Sequence, residues 1–119
     1  MIPVVMLPIK AESPNRTSGE HWSARRKRAE LHRSTALWQM RASGIEPALP
    51  VVVTMTRIGP REFDRDNNVA SLKNAIDGVA DFFGVADNDK RIEWRYGQRR
   101  GEPKQYAVEV AVSHDGTSA

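Results

Sequence analysis

Residues 51–84 read VVVTMTRIGPREFDRDNNVASLKNAIDGVADFFG, and this stretch decides the fold. Residues 51–58 are almost purely β-branched and apolar, the pattern of a buried strand, and Gly59-Pro60 ends it. Within 67–83 the apolar residues Val69, Leu72, Ile76, Val79 and Phe83 recur at steps of three and four. That spacing predicts a helix with one buried stripe, closed by Gly84.

Working outward, residues 1–9 read as a first strand whose prolines suit an edge or a strand end. A Ser-, Pro-, Asn- and Gly-rich loop leads to a helix over about 20–42. Thr17 or Ser18 is its expected N-cap, and Thr17 with Glu20 has capping-box spacing. Ala24, Leu31 and Trp38 recur every seven residues in it. Residues 92–98 and 106–112 read as third and fourth strands, and the turn at 99–101 predicts that they form an antiparallel hairpin. Trp94 and Tyr96 are expected in the core, and Trp22 and Trp38 in the core or a dimer interface. The order β-α-β-α-β-β predicts a small single α/β domain over 1–112, a mixed four-stranded sheet with two helices, and a flexible tail at 113–119.

The chain has 119 residues and no cysteine, which excludes disulfides, thiolate zinc sites, iron–sulfur clusters and a cysteine nucleophile. No apolar run approaches the roughly 20 residues of a membrane span, and no basic segment precedes the first apolar run. A soluble cytoplasmic protein without a membrane partner is the expectation. No Gly-rich phosphate loop of either common pattern occurs, so no nucleotide cofactor is expected. His21 and His32, eleven residues apart, would lie about 16 Å apart along a helix axis, too far to share a metal. They read as polar surface or phosphate-contacting residues.

The net charge of +3 conceals a segregation: +5 over 10–43, −4 over 64–89 and +4 over 90–104. The basic block Arg25, Arg26, Lys27 and Arg28 reads equally as a solvated face or as phosphate contacts. Arg91, Arg95, Arg99 and Arg100 follow the acidic segment and add to the nucleic-acid reading. The acidic island holds Asp64, Asp66, Asp77, Asp81, Asp87 and Asp89. Piece by piece it has plain readings: Asp64 and Asp66 as helix caps, Lys73 and Asp77 as an i,i+4 ion pair, residues 87–89 as a turn. On one continuous helix Asp66, Lys73 and Asp77 would share the face opposite the core. Together, clustered carboxylates become favourable around a divalent cation such as Mg²⁺, with Mn²⁺ as an alternative.

The run Asp64-Arg65-Asp66-Asn67, then Lys73, Asp77-Gly78 and Asp87-Asn88-Asp89 before Ile92, resembles the RusA family of small Holliday-junction resolvases, often encoded by phages and prophages. Ser13-Pro14-Asn15 is similar to the family's early S-x-N segment. The resemblance implies a homodimeric, Mg²⁺-dependent endonuclease that cleaves branched DNA in recombination and repair. It implies Asp64, Asp66 and Asp89 as metal-binding catalytic carboxylates and Lys73 as the catalytic lysine, with Asp87 and Asp77 secondary. Lys73 follows Asp66 by seven residues where the family has four, and Ala70 holds the four-residue place. A DNA-binding protein without catalysis is the alternative, and a nuclease for flaps or single strands is a third.

Overall fold

The computed structural model describes residues 2–17 and 19–114. The elements are β1 (Val4–Leu7), α1 (Pro14–Thr17), α2 (Trp22–Ala42), β2 (Val51–Gly59), α3 (Arg65–Ser71), α4 (Lys73–Phe83), β3 (Ile92–Arg100) and β4 (Ala107–Ser113). The strands make one mixed sheet in the order β1-β4-β2-β3, a small α/β fold of the expected class.

The apolar run of β2 is buried because β2 is an inner strand. It pairs parallel with β3, Val51 opposite Ile92, and antiparallel with β4, Val53 opposite Val112. The expected β3–β4 hairpin does not form. A parallel strand needs a crossover, and α3–α4 supply it, delivering β3 to one edge of β2. The return strand β4 then takes the other edge, and residues 101–106 cross the end of β2, where the Gly101 amide donates to the Gly59 carbonyl at 2.8 Å. Ser113 belongs to β4 and not to a tail; residues 115–119 lie outside the described residues.

α2 and α4 cover one face of the sheet. Leu7, Val53, Met55, Val108, Val110 and Val112 meet Ala36, Met40, Leu72, Ile76, Val79 and Phe83 there. The two helices approach closely at Gly78, where an added Cβ would land on the Arg33 carbonyl oxygen and 2.7 Å from the Ala36 Cβ. A bidentate pair, Arg33 Nε and Nη2 to Asp81 at 2.7 and 2.9 Å, fastens the same crossing.

Three local expectations need correction. Residues 67–83 are not one helix: the chain tightens at Leu72, whose amide bonds back to Val69 and Ala70, so the fully buried Leu72 separates α3 from α4. The wheel that put Asp66, Lys73 and Asp77 on one face therefore stops at Leu72. α2 is capped by His21, whose Nδ1 accepts from the Ser23 amide at 3.2 Å, while Thr17 ends α1 and Ser18 lies outside the described residues. Of the two places expected for Trp22 and Trp38 the core is excluded: they are 65 and 63% exposed, as is Leu31 at 62%, because α2 turns Ala36, Met40 and His32 inward. Tyr96 is also exposed, whereas Trp94 packs against the core as expected.

Candidate functional site

The acidic island sits on α3, the start of α4 and the loop before β3. Asp64 is the N-cap of α3: its Oδ1 accepts from the Asn67 amide and its Oδ2 from the Asn67 side chain, both at 2.9 Å. Asp66 lies in the first turn, exposed, with no hydrogen bond or ion pair among the described residues. Both carboxylates stand at the N-terminal end of α3.

The loop that carries Asp64 is pinned to β3. Gln98 receives the Phe63 amide on Oε1 at 2.9 Å and donates Nε2 to the Phe63 carbonyl at 2.6 Å. Asn68, buried, donates Nδ2 to the Gly97 carbonyl at 3.0 Å, while its Oδ1 has no partner among the described residues. Between loop, α3 and strand edge runs a groove of about 780 Å³, lined by Asp64, Arg65 and Asn68 on one side and Trp94, Arg95 and Tyr96 on the other. Cations, carboxylate and half-exposed aromatic rings thus share one concave surface, a lining suited to a nucleic-acid strand.

Lys73 does not reach into that groove. Its Nζ bridges Asp87 at 2.7 Å and Asp77 at 2.9 Å, so the expected i,i+4 pair exists within a three-membered cluster. The cluster holds Asp87 below the usual carboxylate range and Lys73 above its own, because each hydrogen bond favours the charged form. Asp89 is engaged elsewhere: the Arg91 amide and Nε donate to Oδ1 and Nη2 to Oδ2, at 2.9 to 3.0 Å. Those side-chain and backbone bonds lower its carboxyl to about 2.

No group of three or more His, Cys, Asp or Glu side chains among the described residues is arranged to hold a metal ion. The set Asp64, Asp66 and Asp89 is therefore not gathered as a cage in this single chain.

The basic residues are largely paired. Arg28 grips Glu20 through two hydrogen bonds, at 2.7 and 2.5 Å, and Arg26 reaches Glu30 at 3.3 Å. Arg25 donates to the Thr17 carbonyl, and Lys27 is exposed. Arg95 meets Glu93 and Arg99 meets Glu109 across the open face of the sheet, with Arg100 exposed at the strand end. The exposed pairs among these are worth about 0–1 kcal/mol each. His32 is buried, contrary to its surface reading; desolvation and the neighbouring Arg28 push its pKa down.

Asn68, Gln98 and Arg57 had no place in the sequence reading. For Arg57 a signal existed: it is the one charged residue in a strand otherwise of apolar residues and threonine. No helix is long and apolar enough to cross a membrane among the described residues. No protein-family model matches the chain, and no curated protein matches it.

Proposed function

We propose that this protein is a DNA endonuclease of the RusA type, acting on branched DNA as a homodimer in the cytoplasm. The observation that carries the reading is the N-terminus of α3, where Asp64 lines a groove with Arg65, Arg95, Trp94 and Tyr96 and the exposed Asp66 lies two residues on in the first turn. The order of residues from Asp64 to Asp89 supports the same reading, and a two-fold dimer suits a four-way junction because it presents two equivalent sites for symmetric nicks.

The residues do not fit a closed three-carboxylate metal cage, since Asp89 is held by Arg91. On this reading Asp64 and Asp66 would hold Mg²⁺ or Mn²⁺ in an open site completed by water, because Mg²⁺ commonly takes only one or two protein carboxylates. Such an ion supplies Lewis-acid chemistry at a phosphodiester. The chain's own part is to fix Asp64 through Asn67, to pin the loop through Gln98, and to hold the strand against Arg65 and Arg95.

The test is cleavage of a synthetic four-way junction with and without Mg²⁺. Asp66→Asn, at an exposed position without partners, lowers cleavage by about 100-fold or more and leaves folding and junction binding intact. Full activity of this variant refutes the assignment. The engagement of Asp89 by Arg91 favours a second reading, a junction-binding protein without catalysis. Tight binding with no nicks in either metal selects that reading.

A further inference from the structure

Arg57 points toward the helix-covered side of the sheet and is only 3% exposed. Its partners are neutral: Nη1 donates to the Arg61 carbonyl at 2.8 Å, Nε to the Ala11 carbonyl at 3.4 Å, and the guanidinium lies 3.4 Å from the centre of the Phe63 ring. Among the described residues no carboxylate stands within ion-pair distance of it. A buried cation without an anion is unfavourable, and proteins rarely keep one unless something negative arrives. Desolvation accordingly pushes its pKa down.

The guanidinium lines a cavity of about 460 Å³ between the 10–16 segment, the end of β2 and the residues that follow it. Lys10, Arg16 and Arg61 line it too, with Ser13 and Tyr106. Lys10 Nζ sits 4.5 Å above the centre of the Tyr106 ring. The one carboxylate in the lining, Glu12, lies 3.6 Å from both Lys10 and Arg16, so four cations face a single anion that two of them already share. Phe63 borders this cavity and also the groove of Asp64.

We propose that this cavity is a phosphate-binding site, in which the Arg57 fork and the flanking Lys10, Arg16 and Arg61 take one phosphate group of a nucleic-acid strand. A planar guanidinium presents paired donors that match phosphate oxygens, which the carbonyl partners of Arg57 do not exhaust. A strand anchored here passes Phe63 to reach Asp64, so the cavity sets the register of the strand at the groove. The choice of a strand over free phosphate rests on the nuclease reading; the anion site itself does not.

The experiment is NMR titration of the whole chain in EDTA, so that no cleavage enters, with inorganic phosphate in one arm and a short single-stranded oligodeoxynucleotide in the other. The expected result is salt-sensitive binding of the oligonucleotide with shifts at the Arg57 Nε–H, Phe63 and Tyr106 signals. The double variant Lys10→Ala/Arg61→Ala, at accessible positions, weakens oligonucleotide binding about tenfold while its unfolding midpoint stays in place. Arg57→Lys keeps the charge, loses the fork, and weakens binding as well. Saturable binding of inorganic phosphate with no oligonucleotide response overturns the strand assignment. Unchanged binding in Lys10→Ala/Arg61→Ala, or no response at Tyr106 and Phe63 in either arm, overturns the site. A protein that binds the oligonucleotide here yet nicks no junction overturns the nuclease reading alone.

Discussion

Replacing Gly78 by Ala sets two effects against each other. In an isolated helix the exchange is favourable by about 1 kcal/mol, because alanine loses less backbone freedom on folding. Here the new methyl would meet the Arg33 carbonyl oxygen and stand 2.7 Å from the Ala36 Cβ, where non-bonded carbons settle near 3.5–4.0 Å. The obstruction is backbone of α2, which moves only if the whole helix shifts against α4. Overpacking of this kind costs about 1–3 kcal/mol, and rigid backbone puts it at the upper end, so the net expectation is a loss of up to about 2 kcal/mol, or up to roughly 8 °C in Tm. Urea unfolding followed by tryptophan fluorescence measures it: the midpoint falls while the slope stays constant. Ala36→Gly in the same background removes one of the two clashes, so the double mutant is more stable than the sum of the single changes implies, by about 0.5 kcal/mol or more. A rise in the midpoint for Gly78→Ala would show that α2 and α4 do not cross at this residue.

Two further predictions concern titration. Asp89 titrates near 2 because of Arg91, below the 3.9 of an unfolded chain, so its contribution to stability is present above that unfolded value and is lost as the pH falls through about 2. Carboxyl NMR of Arg91→Ala should show Asp89 back toward the ordinary range, and an unchanged value would mean that another group holds it. His32 is depressed below its unfolded value near 6.5, so it favours the folded state above that pH and the benefit is lost as acid drives protonation. Its ring Cε1–H should shift only at a pH below 6.5, and a midpoint at or above that value contradicts its burial.

The elements themselves were legible because their signals are local. The apolar run of β2 and the three-and-four spacing through Phe83 are properties of neighbours in the chain. So were the Asp64 cap and the Lys73–Asp77 pair, whose partners lie three and four residues apart. What escaped depends on distant partners. A turn after β3 is compatible with a hairpin, and only the competition for the two edges of β2 places β4 on the far side. Nor does helical periodicity mark Leu72 as a break, since Leu72 falls on the apolar stripe and is buried like Ile76, Val79 and Phe83. The sevenfold recurrence of Ala24, Leu31 and Trp38 does not mark the inner face of α2. The inner face is the smaller Ala36 with Met40 and His32, which lets α4 approach. At the candidate site the aspartates were legible as types and spacings, but the binding of Asp89 to Arg91 and the burial of Arg57 are three-dimensional facts.

The position of β4 has a consequence for synthesis. β1 pairs with β4 alone, and β4 lies between β1 and β2. On the ribosome β1 emerges about 100 residues before β4 (Ala107–Ser113), its one partner among the described residues. At about 5–20 residues per second, roughly 5–20 s separate the two. During that interval β1 has nothing to pair with, and one long side of β2 is unsatisfied. Until β4 is made the nascent chain therefore exposes two strand edges, and that one strand covers both in a single event.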